Sequence, residues 1–185
     1  MRHLPNILSG IRLILVGVFI SLFVAGRYLS ALSVFVFAFF TDVLDGQLAR
    51  ANGWVTDLGK LLDPLADKLM TLAALVCIYI GKHKPVYLIL FLLMAVKELL
   101  MMIGGLLLAK KKVVVMAYWP GKIATGLFAV GVMLSLLSFL SLDVEPWDRI
   151  VLIAATVTSY FALLFYAARQ IPNVLGKRSK DELKS

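Results

Sequence analysis

A single cysteine, Cys77, and two histidines, His3 and His83, are all this 185-residue chain contains of those types. One thiol cannot build a disulfide framework, and a Cys/His zinc site lacks its ligands. Cys77 lies inside an apolar run and reads as inert packing, while both histidines fall in polar breaks and receive no ligand role. Charge is sparse as well. Asp, Glu, Lys and Arg make up 16 % of the residues, against about 25 % in a typical soluble domain. Hydrocarbon takes their place: 61 % of residues are hydrophobic and the mean hydropathy is +0.93. Long apolar runs with short polar breaks exclude a soluble all-helical core and point to an integral membrane protein. The net charge of +8 then belongs to loops facing anionic headgroups, and nucleic acid is not an expected partner.

At about 20 apolar residues per crossing, the expected architecture is all-α and polytopic, with six transmembrane helices. They are placed at Ile11–Tyr28, Leu29–Ala49, Thr56–Ile80, Pro85–Ala109, Pro120–Leu140 and Trp147–Ile171. The breaks between them carry Gly26-Arg27, Asn52-Gly53, the stretch from Gly81 to Lys84, Lys110 to Lys112, and Asp143 to Pro146. Residues 1–10 are expected as a short interfacial segment before the first span, and 172–185 as a basic cytoplasmic tail. No internal repeat or low-complexity tract divides the chain, so residues 1–185 form one membrane domain. Lys and Arg are concentrated on the side that holds both termini, the Asn52-Gly53 break and Lys110 to Lys112. The positive-inside rule therefore turns that side to the cytoplasm. Trp54, Trp119 and Trp147 fall near span ends, where an interfacial belt is expected.

Acidic residues number 11, yet four of them stand at fixed spacing beside apolar helix: Asp42, Asp45, Asp63 and Asp67. An ionised carboxylate at the centre of a membrane helix costs about 2.5–3.5 kcal/mol, and neighbouring carboxylates repel unless cations hold them. Asp42 and Asp45 are i and i+3, and Asp63 and Asp67 are i and i+4, so each pair shares a helix face. Asn52-Gly53 permits a tight reversal between the two helices. All four acids are thus expected in one cleft at the cytoplasmic level. Hard oxygen ligands in that number suit Mg²⁺ or Mn²⁺, with room for two ions, an arrangement that clamps phosphoryl groups. Gly46, Ala49 and Gly59 leave space for a diphosphate, and Arg50 is available to pair with it. A cation channel or transporter is the non-enzyme alternative. Permeation paths, however, distribute acids along the depth of a span rather than at one level.

The string D-x2-D-G-x2-A-R-x8-G-x3-D-x3-D runs from Asp42 to Asp67 without departure. It resembles the signature of the CDP-alcohol phosphotransferase family, and the six-span layout extends the likeness over most of the chain. The resemblance implies transfer of a phosphatidyl-type group from a CDP-linked donor, CDP-diacylglycerol, to an alcohol, with release of CMP. It assigns Asp42, Asp45, Asp63 and Asp67 as metal ligands, and Asp67 also as the base for the acceptor hydroxyl. Gly46, Arg50 and Thr56 match donor-contacting positions, and Asn6 lies in a Pro-Asn stretch similar to the family's cytidine-side segment. It further implies a homodimer in a bacterial cell membrane with the active site facing the cytoplasm.

The acceptor is less sharply written. The stretch from Leu58 to Lys68 looks like phosphatidylglycerophosphate synthases and also like the cardiolipin synthases of this family. The former carry an Arg-Glu pair in the fourth span and Gly-Lys-x-Lys-Thr before the fifth. Here the pair is Lys97-Glu98, and the stretch is Gly121-Lys122-Ile123-Ala124-Thr125. Lysine offers no bidentate fork, and Ala124 removes a positive charge. Glycerol 3-phosphate is the expected acceptor, with Lys97, Glu98 and Lys122 as its contacts, and phosphatidylglycerol is the alternative. For Lys97 and Glu98 the competing reading is a structural ion pair with another helix.

Overall fold

The computed structural model describes residues 4–52, 57–110 and 119–182, with side chains over 10–42, 66, 68–105, 108 and 119–169. Every described element is helical: α1 (Leu4–Val24), α2 (Tyr28–Asn52), α3 (Asp57–Lys82), α4 (Pro85–Lys110), α5 (Trp119–Ser138) and α6 (Trp147–Glu182). Helix starts follow local chemistry. Pro85 opens α4 and Pro120 is the second residue of α5, positions whose missing N–H has no intrahelical partner to lose. Gly26, at φ +72°, makes the turn between α1 and α2 in a region that suits glycine.

Two boundaries differ from expectation. The first helix starts earlier than Ile11, at Leu4, because Pro5 is tolerated in a first helical turn and nothing after it interrupts the ladder. At the other end α6 continues through the expected tail to Glu182.

Among the described residues, three helices are long and apolar enough to cross a membrane: Pro85–Gly105, Trp119–Ser138 and Trp147–Arg169. Within the described side chains of α1 and α2, Gly10–Val24 and Tyr28–Asp42 are apolar. The first half of α3 is occupied by Asp57, Lys60, Asp63, Asp67 and Lys68, which confines its apolar part to the second half.

Helix α3 packs against α1, α4 and α5, α2 bridges α1 and α5, and α5 and α6 form the most extensive pair. The core draws Phe19 and Phe23 from α1, Phe35 from α2, Leu75 and Ile78 from α3, Tyr87 from α4, Val132 and Leu136 from α5, and Leu152 from α6. Gly131 is required where α5 meets α6, since a Cβ there would stand 2.7 Å from Leu152 Cδ2. Outward faces are as apolar as the core. Leu92, Val96, Leu99 and Ile103 are exposed along one stripe of α4, and Val157, Phe161 and Leu164 along one stripe of α6. Such faces are a liability in water and natural in lipid. Trp119 and Trp147, each the first residue of its helix, are both exposed, as an interfacial position requires.

The end of the bundle away from Asp42 carries a buried polar knot. Asp148 is fully buried; its Oδ2 accepts from Lys82 Nζ at 2.6 Å, Tyr87 Oη at 2.7 Å and Ser135 Oγ at 3.0 Å. Lys82 also reaches Glu145 at 3.1 Å, and Lys84 pairs with the same carboxylate. One carboxylate thereby ties α3, α4, α5 and α6 together.

Candidate active site

Asp42 lies in the middle of α2, on a helix that buries Ala31, Phe35 and Ala38 one to three turns earlier. Continuing that stripe at i+4 from Ala38 brings Asp42 to the wall of a small recess of about 30 Å³, enough for one or two waters. Four helices meet there: Arg12 from α1, Ala38 and Asp42 from α2, Met70 and Thr71 from α3, and Thr125 and Phe128 from α5. Arg12 Nη2 donates to Asp42 Oδ1 at 2.8 Å; the guanidinium side chain is 4 % exposed and the carboxylate 36 %. A buried guanidinium has to be paired, and Asp42 supplies the charge while keeping an accessible edge.

The other acids lie near the recess-lining residues along the chain. Thr71 lines it, and Asp67 and Asp63 occupy positions one and two turns earlier on α3. Asp45 follows Asp42 by three positions on α2, with Gly46 and Arg50 beyond it on the same helix. Asn6 is in the first turn of α1. The side chains of Asn6, Asp45, Gly46, Arg50, Asp63 and Asp67 lie outside the described ones, and Thr56 lies outside the described residues altogether. Of the four aspartates, the described side chains therefore include Asp42. The polar side chains of the recess are oxygen donors, Asp42, Thr71 and Thr125, together with Arg12. Among the described residues no group of three or more His, Cys, Asp or Glu side chains could hold a metal ion; the recess contributes one carboxylate and two hydroxyls, oxygen ligands of the kind a hard cation takes.

A second charged group joins α3 and α4. Glu98 Oε2 pairs with Lys68 Nζ at 2.7 Å, and Glu98 Oε1 with Lys97 Nζ at 2.6 Å. The three side chains are 14 %, 25 % and 12 % exposed for Glu98, Lys68 and Lys97. Lys68 directly follows Asp67 in the chain, so the pair expected from sequence on α4 is joined to the acidic segment of α3. Two ammonium groups on one carboxylate leave a net positive charge in a largely desolvated position. Lys122 is not part of this group; it is exposed and lies over the Trp119 ring at 5.6 Å. Its stretch still reaches the recess, because Thr125 lines the wall while donating to Gly121 O at 3.0 Å, and Ala124 is buried beside it.

Sequence reasoning did not single out Arg12, Lys68 or Thr125. For Arg12 a signal existed: a charged residue inside the first apolar run defaults to function, but the positive-inside count absorbed it. Lys68 was visible only as part of a motif, and Thr125 only as the last residue of an imperfect match.

The chain is similar to known proteins over most of its length. A family model described as CDP-alcohol phosphatidyltransferase matches residues 2–168. A probable phosphatidylglycerophosphate synthase of Mycobacterium tuberculosis (strain ATCC 25618 / H37Rv) is 32 % identical over 182 residues, covering 95 % of this chain and 85 % of that protein. A CDP-diacylglycerol--glycerol-3-phosphate 3-phosphatidyltransferase of Bacillus subtilis (strain 168) is 30 % identical over 185 residues, covering 88 % of this chain and 95 % of its own. A protein of the same name from Pseudomonas fluorescens is 43 % identical over 91 residues; that match spans about half of each chain, 48 % here and 46 % there.

Proposed function

Because the chain belongs to the CDP-alcohol phosphatidyltransferase family, we propose that it transfers the phosphatidyl group of CDP-diacylglycerol to glycerol 3-phosphate, giving phosphatidylglycerophosphate and CMP. The observation that carries the reaction type is the uninterrupted aspartate motif from Asp42 to Asp67, with Asp42 at the wall of a recess where four helices meet. The names of the full-length relatives support the acceptor, and so does the excess positive charge of Lys68, Lys97 and Glu98. A phosphorylated acceptor meets favourable charge there, whereas a neutral one leaves it unanswered.

In this reading α1 to α6 are six membrane spans forming one domain, with α3 entering the bilayer through its apolar half and the acids at the cytoplasmic level. The amphipathic start of α1 and the basic end of α6 lie at that same face of a bacterial cell membrane. Asp42, Asp45, Asp63 and Asp67 would hold Mg²⁺ or Mn²⁺, two ions matching four carboxylates. When bound, the ions neutralise charge that builds on the departing phosphate. Arg50, Gly46, Thr56 and Asn6 take the CDP end of the donor, with Arg50 providing a bidentate partner for phosphate oxygens. The donor's acyl chains remain in lipid beside the apolar stripes.

Asp67 accepts the proton of the acceptor hydroxyl. The hydroxyl oxygen forms a bond to the phosphatidyl phosphorus as the bond from that phosphorus to the bridging oxygen breaks. CMP leaves with the bridging oxygen and its electron pair. Lys97, with Lys68 and Glu98 beside it, attracts the acceptor's phosphate, and Lys122 adds charge at the rim. The protein functions as a homodimer.

The test is purified protein with Mg²⁺ or Mn²⁺, CDP-diacylglycerol and a panel of glycerol 3-phosphate, phosphatidylglycerol, inositol phosphate and serine, with the lipid product identified. Glycerol 3-phosphate is expected to react preferentially. A panel in which phosphatidylglycerol alone reacts would make the protein a cardiolipin synthase, and cation conduction without CMP release would make it a channel.

A further inference from the structure

Arg12 is a charged group with no assigned part in phosphatidyl transfer, yet it is almost completely buried and lies against the first acid of the motif. It sits in the third turn of α1, inside an apolar run, with 4 % of its side chain exposed. Phe35, Met70 and Phe128 line the same recess, so the guanidinium has apolar walls around it. Guanidinium does not give up its proton in proteins, and a buried positive charge without a counter-ion is strongly unfavourable. Asp42 Oδ1, 2.8 Å from Nη2, is an anion that Arg12 depends on.

If Asp42 is also a cation ligand, one carboxylate serves two positive charges. A fixed guanidinium beside it disfavours a second cation by Coulomb repulsion, and in a recess with apolar walls that repulsion is screened less than at a surface. Arg12 also holds the carboxylate in one orientation. We propose that Arg12 is a positioning residue of the acidic centre, holding Asp42 and lowering the affinity of that centre for divalent cations. The inference rests on the proposed role of Asp42 as a cation ligand. Its consequence for the reaction is coupling. An acidic centre that binds cations weakly alone binds them better once an anionic diphosphate adds its own charge, and by linkage the diphosphate gains the same factor.

The test is Mn²⁺ titration of the purified full chain in nanodiscs, with free Mn²⁺ read by electron paramagnetic resonance. Arg12→Met removes the charge and keeps an apolar side chain in the recess; it is expected to bind Mn²⁺ about tenfold more tightly, the equivalent of one charge-assisted hydrogen bond. Arg12→Gln, also neutral and able to hydrogen-bond Asp42, is expected to tighten binding similarly and serves if the methionine variant does not fold. Arg12→Lys keeps the charge and should stay within about threefold of the parent. In an Asp42→Asn background the difference between Arg12 and Met should vanish. Unchanged or weaker binding in the neutral variants, or equal tightening by lysine, overturns the role of Arg12 while leaving the acidic centre standing. A parent protein that binds no Mn²⁺ overturns both.

Discussion

Replacing Lys82 by methionine strikes the polar knot at its one buried cation. Asp148 is fully buried and accepts from Lys82, Tyr87 and Ser135 through Oδ2. Tyr87 and Ser135 are neutral, so Lys82 alone among these partners balances the charge; Lys84 and Arg149 engage Glu145 instead. Lys82→Met therefore leaves a buried carboxylate held by hydroxyls only. Breaking a buried pair in this way costs about 3–5 kcal/mol. At about 2–4 °C per kcal/mol for a chain of this size, the midpoint of thermal unfolding should fall by roughly 6–20 °C. The second half of the experiment isolates the cause. Adding Asp148→Asn to Lys82→Met removes the uncompensated charge and should recover part of the loss, a coupling of about 0.5–3 kcal/mol. The assay is thermal unfolding in detergent, followed by the loss of monodisperse protein on a sizing column. A Lys82→Met variant as stable as the parent, or a double variant no better than the single, refutes the claim that Lys82 neutralises Asp148.

Glu98→Gln removes the anion shared by Lys68 and Lys97. By adding one unit of positive charge to this cluster, it should lower KM for glycerol 3-phosphate with a smaller change in kcat, as steady-state kinetics will show; an unaltered or raised KM would return Glu98 to a purely structural role. Gly131→Leu forces atoms into a contact where even a Cβ would lie 2.7 Å from Leu152 Cδ2 and 3.2 Å from its backbone nitrogen. Overpacking of about 1–3 kcal/mol should lower the unfolding midpoint by roughly 2–12 °C, whereas Gly126→Ala, with open space around it, should be neutral or stabilising. Glu145 lies before α6, outside the three long apolar stretches, and its hydrogen bonds to Lys84 and then Lys82 hold its carboxyl below the usual glutamate range. A depressed folded pKa gives stability that is present above the unfolded value and lost as pH falls through the folded one. The parent should thus lose more stability than Glu145→Gln between pH 6 and pH 3; parallel pH curves for the two would rule the pairing out.

The helices were legible because their signals are local. Apolar runs broken by Gly26, Asn52-Gly53, His83, Lys110 to Lys112 and Pro146 place all six elements, and the observed ends fall within a few residues except at α1 and α6. There, polar residues near a terminus read as segments outside a span, although a helix continues through them without an internal obstacle. The apolar length of three helices was legible too, while α3 is shortened as an apolar stretch by the acids that make it interesting.

What stayed hidden depends on contacts between residues far apart in the chain. Asp148 reads as an ordinary acid in the first turn of α6, and Lys82 as a loop charge; no periodicity reveals that they meet across 66 positions. Arg12 and Asp42 pose the same problem across α1 and α2. The Lys97-Glu98 pair was noticed from sequence, but its link to Lys68 on α3 was not, because helix pairing within the bundle is not written in either helix alone. Gly131 sits in an apolar run, and nothing in that run shows that Leu152 is the neighbour it must admit.

The central claim is that the aspartate motif catalyses phosphatidyl transfer, and the most direct measurement compares the parent with Asp67→Asn. Both proteins, purified and shown to be equally stable, are given CDP-diacylglycerol, glycerol 3-phosphate and Mg²⁺, and the lipid product and CMP are quantified by mass spectrometry. The account predicts phosphatidylglycerophosphate and CMP in equal amounts from the parent, and neither from Asp67→Asn. Undiminished product from the variant, or no CMP from the parent with any acceptor, would contradict it.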